Sequence, residues 1–331
     1  MAPSTDWKEQ IPAGEAEKHE GFAQVLNGLQ KRHAVKNPIA RGLHAKGQAG
    51  AEATLTIHGN LPAHAAHGLG AKPGTYRALV RYSNGGPVRV GDRKPDVRGI
   101  AVKVIGVEGK KLIPGMEDET TQDFLAILGD STPFVTPDDF VWFVVAARSP
   151  ATLPLKVLGH FGFGRGIAMI KALLKSASRK TFSVATSRYG SQLPIKWGPY
   201  AVRYAFEPIA KDQAAAVMGT TDNYLGEELV ARLAKGPVEY DFKVQFFVDE
   251  QRTPIEDGSV EWKEADAAWV TIGRLTIPRQ DTLKVGELIE SLSFDPWHAL
   301  TEHRPLGAMM RARNAAYRLS TQERKAAKEP R

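Results

Sequence analysis

Apolar and polar residues alternate in several short stretches, and each such stretch predicts a strand. Between Ala51 and His58, residues Ala53, Leu55 and Ile57 share one face; between Tyr76 and Ser83, Ala78, Val80 and Tyr82 do. Gly99 to Ile105 and Asp123 to Leu128 are apolar runs of strand length. The clusters Lys72-Pro73-Gly74 and Asn84-Gly85-Gly86-Pro87 break the chain between them. Alternation returns at Tyr200 to Phe206, Tyr240 to Val248 and Trp269 to Ile277. Helical spacing is expected over Glu15 to Arg32, ending near Pro38, and over Pro137 to Arg148, where Asp138 and Asp139 follow a proline. Further helices are expected at Gly166 to Lys175, Asn223 to Ala234, Leu283 to Leu292 and Leu306 to Lys325. Two groups of antiparallel strands with helices between and after them predict an α+β fold around a sizeable antiparallel sheet or barrel.

No Pro/Gly/Ser-rich linker divides the chain. The reading is a mobile tail over 1–14, one domain over 15–325 and a short tail over 326–331. The 331 residues suffice for one large core, burying on the order of 75% of the unfolded surface. Cysteine is absent, which excludes disulfides, Cys-ligated zinc, iron–sulfur clusters and thiol peroxidase chemistry. No signal segment is visible at the N-terminus, and the run Phe140 to Ala147 is too short for a bilayer. A cytoplasmic protein without stable membrane insertion is expected. The apolar stretch Leu155 to Leu174 is expected to be ordinary core packing, with a channel lining or a membrane contact as the sharper alternatives. The net charge of +7 suits an anionic partner of some kind. Nucleic acid is not expected, because aromatics do not interleave with Lys and Arg beyond Arg81-Tyr82.

Three places carry candidate chemistry. Arg313 and Tyr317 are four apart and so share a helical face, with Arg324 seven further on. A guanidinium beside a phenol favours the phenolate, a ligand suited to ferric haem iron. Upstream, His44 lies in Arg41-Gly-Leu-His44-Ala-Lys46-Gly47, and Arg81 and Ser83 point to one side of their strand. A serine hydroxyl can bond one nitrogen of His44 and hold its tautomer. Gly162-Phe163-Gly164-Arg165-Gly166 is a weak phosphate cradle and reads better as a helix start. Each site alone has an ordinary explanation: a surface tyrosine, a turn histidine, scattered strand polars.

Together, in order, they resemble the haem catalase superfamily in its short form. Arg41 to Gly47 is similar to the segment around that family's distal histidine. Val80-Arg81-Tyr82-Ser83 and Asp96-Val97-Arg98-Gly99-Ile100-Ala101-Val102-Lys103 are similar to two of its strands. Arg313, Tyr317 and Arg324 match the spacing of its proximal arginine, tyrosine and propionate arginine. Phe294 to His298 and Glu302 to Gly307 resemble the approach to that helix in truncated relatives.

The resemblance implies an antiparallel eight-stranded β-barrel with surrounding helices. It implies haem b held non-covalently between barrel and last helix, with Tyr317 as the metal ligand and Arg313 beside it. Arg41, Arg81 and Arg324 would take the propionates, Phe140 (or next Phe134) would stack near the haem, and His44 with Ser83 would be catalytic. The implied activity is heterolytic cleavage of organic hydroperoxides, fatty-acid ones among them, or of hydrogen peroxide, using a small-molecule reductant. A homodimer is also implied. The family's distal asparagine is missing: Ser131 or Leu128 stands there, depending on alignment. Asn84-Gly85 replaces a family valine, which predicts wider access. Both departures point away from hydrogen peroxide dismutation. A weak catalase, a lipid-hydroperoxide rearranging enzyme and a haem-binding protein are the alternatives.

Overall fold

Alternating strands of this length must hide one face each, and in the computed structural model they do so by closing on themselves. The structure describes residues 1–34, 41–177, 180–210 and 219–330. In chain order the elements are α1 (Glu15–Ala34), β1 (Gly47–Ile57), β2 (Gly74–Asn84), β3 (Arg98–Ile105), β4 (Thr121–Leu128), α2 (Pro137–Ala146) and α3 (Leu153–Ala177). Then follow β5 (Tyr189–Gly190), β6 (Ile195–Trp197), β7 (Tyr200–Pro208), α4 (Tyr224–Lys235), β8 (Val238–Phe246), β9 (Trp269–Ile277), α5 (Leu283–Ser291) and α6 (Ala308–Arg324). The expected end of the first helix near Pro38 lies outside the described residues.

The strands pair antiparallel in the order β5-β4-β3-β2-β1-β9-β8-β7, and β5 pairs back to β7. The result is the expected eight-stranded barrel, with β6 added onto β7 as a hairpin. Closure depends on two residues of β5, too short for any periodicity to reveal. Beside this seam the Tyr204 hydroxyl stands in for a strand: it accepts from Leu125 N–H (2.9 Å) and donates to Leu125 C=O (2.8 Å).

The barrel interior is full. Tyr82, Tyr189, Tyr204, Tyr240, Phe124, Phe206 and Phe242 are buried there among Val and Leu side chains. The Tyr82 hydroxyl donates to that of Tyr240 (2.9 Å), and Tyr240 and Tyr189 both donate to Val184 C=O (2.8 and 2.9 Å). Small barrels fill with side chains in this way, so no cofactor fits inside. The outer wall differs. Leu79 and Ile105 there pack against Ile289, Leu292 and Phe294, which sets α5 and the segment after it against the outer wall.

Both termini are laid against this body. Ser4 N–H bonds Phe247 C=O (2.9 Å), and the half-buried Glu9 joins Arg304 and Arg311 (2.6 Å each). Residues 1–14, expected as a mobile tail, thus carry part-buried ion pairs that composition does not announce. At the other end, Glu329 reaches Lys103 on β3 (2.5 Å), itself bonded to both oxygens of Asp123 (2.7 and 2.9 Å). His298 Nδ1 lies 3.5 Å from Asp123 and 3.3 Å from Glu329, at ion-pair distance without hydrogen-bond alignment.

Burial opposes charge on His298, but the two carboxylates prevail and raise its pKa to about 9. A histidine bound more tightly by protons when folded stabilises fully below about pH 6.5, and this contribution is lost as pH rises through 9. The expected result is a falling urea midpoint between pH 6.5 and 9, on the order of 1–3 kcal/mol. His298→Gln should lose that difference; an unchanged profile would refute it. Lys111, which burial lowers to about 8, cancels in the comparison.

The expectation for Leu155 to Leu174 needs correction. Most of α3 is exposed, with Val157, Gly166 and Met169 its buried residues among those described. Its backbone bends at Gly162 (φ 72°), so the helix begins well before Gly166 and restarts after the bend. Apolar composition could not distinguish a packed face from an uncovered one.

Candidate functional site

His44 lies just before β1 in a left-handed conformation (φ 53°), uncommon for a non-glycine residue. Two strap-like bonds hold it there: His44 N–H to Gly85 C=O (3.0 Å) and Ala45 N–H to Gly86 C=O (3.1 Å). They tie the segment to the turn after β2 and turn the imidazole onto the outer wall. Its Nδ1 is 2.9 Å from Ser83 Oγ, so these two residues meet as the sequence predicts. Ser83 pairs across the sheet with Gly99, and the ring rests where a side chain at 99 would be. A Cβ there would come within 2.8 Å of His44 Cε1 and 3.1 Å of Nδ1.

Burial, with Arg81, Arg313 and Arg41 nearby, lowers the His44 pKa to about 3. The imidazole is therefore neutral at neutral pH and free to accept a proton. Gly99→Ala should displace the ring and slow any proton transfer through it by roughly 10–100-fold. Rapid-mixing kinetics would check this; a wild-type rate would show that ring placement is immaterial.

Three guanidiniums converge beside the histidine. Arg81 Nε donates to Glu290 Oε1 (2.7 Å) and its Nη2 to His44 C=O (3.0 Å). Arg41 donates to Glu290 Oε2 (2.8 Å) and to Leu292 C=O (3.0 Å). Arg324, from the end of α6, donates to the same Leu292 carbonyl (3.3 Å), while its buried Nη1 has no partner among the described residues. Burial and the neighbouring arginines pull Arg41 down to about 9; burial and Arg81 pull Arg324 to about 10. Burial works against ionising Glu290, but Arg81 and Arg41 overcome it and lower its pKa. Three cations and one anion leave two positive charges unbalanced in a buried place, where charges require partners.

On α6, Arg313 Nη2 donates to Tyr317 Oη (2.9 Å), and its guanidinium lies over the tyrosine ring. Burial opposes the Arg313 charge, yet the tyrosine holds its pKa above the ordinary arginine value. Arg324 on the same helix shares the Leu292 carbonyl with Arg41, which ties α6 to the arginine cluster.

Phe140 belongs to α2. It packs edge-to-face on Phe134 (5.3 Å), which leans on Phe143 (5.1 Å), in an aromatic cluster on and before α2. No bond joins Phe140, Ser131 or Leu128 to His44 among the described residues. At Asn84-Gly85, where wider access is expected, the structure shows a side chain built into the wall. Asn84 is fully buried, accepting from Arg98 (2.6 Å) and Gln48 (2.5 Å) and donating to Asp92 (3.3 Å). A polar residue at a strand end served structure here.

Sequence reasoning missed Glu290 and the two glycines that make room. A Cβ at Gly47 would fall 1.9 Å from Glu290 Oε1. Nothing in the amphipathic pattern of α5 separates Glu290 from its solvated neighbour Glu287.

No protein-family model matches the chain. A catalase-related peroxidase of Mycolicibacterium paratuberculosis is 32% identical over 255 residues, covering 74% of this chain and 76% of that protein. Among solved structures, a fungal catalase superposes with a TM-score of 0.67 at 18% identity, over 87% of this chain. Catalase A of Saccharomyces cerevisiae gives 0.66 at 16%, and a bacterial catalase 0.62 at 17%. The chain spans 61% of the fungal catalase and 57% of the bacterial one. These structures share its fold.

Proposed function

Because the chain belongs to the catalase-related peroxidase family, a family of oxidoreductases, we propose that it is a haem-dependent peroxidase that splits hydroperoxides, organic ones ahead of hydrogen peroxide. The observation that carries this reading is the arginine cluster. Its two unbalanced charges, and the orphaned Nη1 of Arg324, fit a buried group bearing two carboxylates, as haem b does. The donor set agrees: Tyr317 is the phenol to ligate iron, and Arg313 donates to its oxygen.

Bound haem supplies the redox-active iron at which an O–O bond is polarised. The chain supplies the rest. Arg41, Arg81 and Arg324 would hold the propionates. Arg313 would position the Tyr317 oxygen. His44, neutral at working pH, would take the proton from the O–H oxygen of the hydroperoxide and deliver it to the other oxygen, so that an alcohol or water departs. Ser83 fixes the ring for that transfer. The net change is one hydroperoxide to an alcohol and water, with two electrons and two protons drawn from a small-molecule reductant. Preference for organic hydroperoxides follows from the lack of an asparagine between Asp123 and Phe140, since no amide there can position a second hydrogen peroxide.

The test adds hemin to the purified protein. One hemin per chain, with high-spin ferric tyrosinate absorption, is expected, followed by dye oxidation with cumene hydroperoxide and little oxygen from hydrogen peroxide. A chain that takes up no hemin overturns the proposal; vigorous oxygen release replaces peroxidase by catalase.

A further inference from the structure

Helix α3 packs Val157, Met169, Ile170 and Leu173 on the core but leaves a second apolar edge without a partner among the described residues. It is long and apolar enough, by length and composition, to cross a bilayer, yet 17% of that stretch is buried in the protein. Leu155, Phe163 and Leu174 are 73%, 78% and 63% exposed. Side chains of this size rarely gather in water without something to cover them.

The charges say what that is. Residues 150–177 contain Lys156, Arg165, Lys171 and Lys175 and no Asp or Glu. Beyond the bend at Gly162, the exposed Phe163 and Leu174 and the half-buried Ile167 follow helical spacing along one edge, next to the face that Ile170 and Leu173 turn to the core, with Lys171 and Lys175 on its other side. An apolar stripe edged by lysines is the pattern of a helix lying in the surface of an anionic membrane, its rings and methyls among the upper acyl chains and its ammonium groups at the phosphates. The bend argues against a straight span: neither part reaches the roughly 20 residues a crossing needs. Stacking of His160 on Trp142 (4.0 Å) and the Arg165–Asp139 ion pair (2.7 Å) fix α3 to α2, so the stripe is presented by a rigid body.

We propose that α3 docks the protein peripherally on anionic phospholipid bilayers. The inference is independent of the peroxidase reading, and its assay involves no haem.

Flotation with vesicles of phosphatidylcholine and phosphatidylglycerol tests it. Wild-type protein should float with them, and with pure phosphatidylcholine vesicles at least tenfold less. Lys156→Gln with Lys171→Gln should weaken binding about thirtyfold, from the usual contribution of each basic residue near an anionic surface. Phe163→Ser with Leu174→Ser should abolish it. All four sites are exposed, so thermal unfolding should not change. No flotation of the wild type, or equal flotation of both variants, overturns the proposal. So does a dimer seen by light scattering that the Phe163/Leu174 variant disrupts while vesicles capture nothing, since α3 would then face a second copy of this chain.

Discussion

Tyr317→Phe should yield a folded protein that takes up hemin weakly and without tyrosinate absorption. The fold survives because the tyrosine is half-buried and the loss is one hydrogen bond, about 1 kcal/mol. The cofactor effect is far larger. Changing a residue that merely supports a metal ligand costs 10–100-fold in affinity or activity, so removing the ligand should cost more than about 100-fold. Arg313→Gln supplies the comparison within that 10–100-fold range, because Tyr317 remains while its anion loses its partner. Hemin titration followed by absorption spectroscopy separates the two. An unaltered ferric spectrum in Tyr317→Phe would remove the phenol from the metal site.

His44→Ala should bind hemin like the wild type and cleave cumene hydroperoxide 10²–10⁴-fold more slowly, the usual contribution of a positioned proton carrier. The two readouts part because the hydrogen bond seen on the imidazole is to Ser83, while the cofactor contacts belong to the arginines and Tyr317. The pH profile adds a signature. With a pKa of about 3, His44 stays in its base form from pH 8 down to about 5, and its contribution to cleavage should be flat there. It should fall only as pH nears 3, where the ring gains a proton. A limb near pH 6.5 would mean a solvated imidazole. Undiminished cleavage in His44→Ala would assign the proton transfer elsewhere.

Much of this arrangement was legible from local spacing. Alternation located five of the strands and short apolar runs two more, and alternation put Arg81 beside Ser83 on one side of β2. Helical spacing joined Arg313 to Tyr317. What escaped depends on contacts between distant segments. Arg41 meets Glu290 across 249 positions, and only folding brings the α5 carboxylate under both guanidiniums. Gly99 reads as an ordinary strand glycine until His44 is seen lying over it. Glu329 looks like the end of a charged tail, because its partners Lys103 and His298 are far upstream. The strands β5 and β6 are too short for a period. The misreading of α3 has a different origin: apolarity tells that a surface prefers to leave water and is silent about what receives it.

The two faces of β2 bear on how such a chain can diverge. Ala78, Val80 and Tyr82 fill the barrel, while Leu79, Arg81 and Ser83 line its outer wall. Because inward and outward positions interleave residue by residue, substitution can retune the chemistry at 81 or 83 with the interior untouched. Insertion of a single residue upstream in that strand would instead thrust a guanidinium into the tyrosine-lined interior and expel an aromatic ring. Descendants of this protein should therefore vary freely in loop length and in outward side chains, yet keep the spacing from Ala78 to Ser83 without gaps.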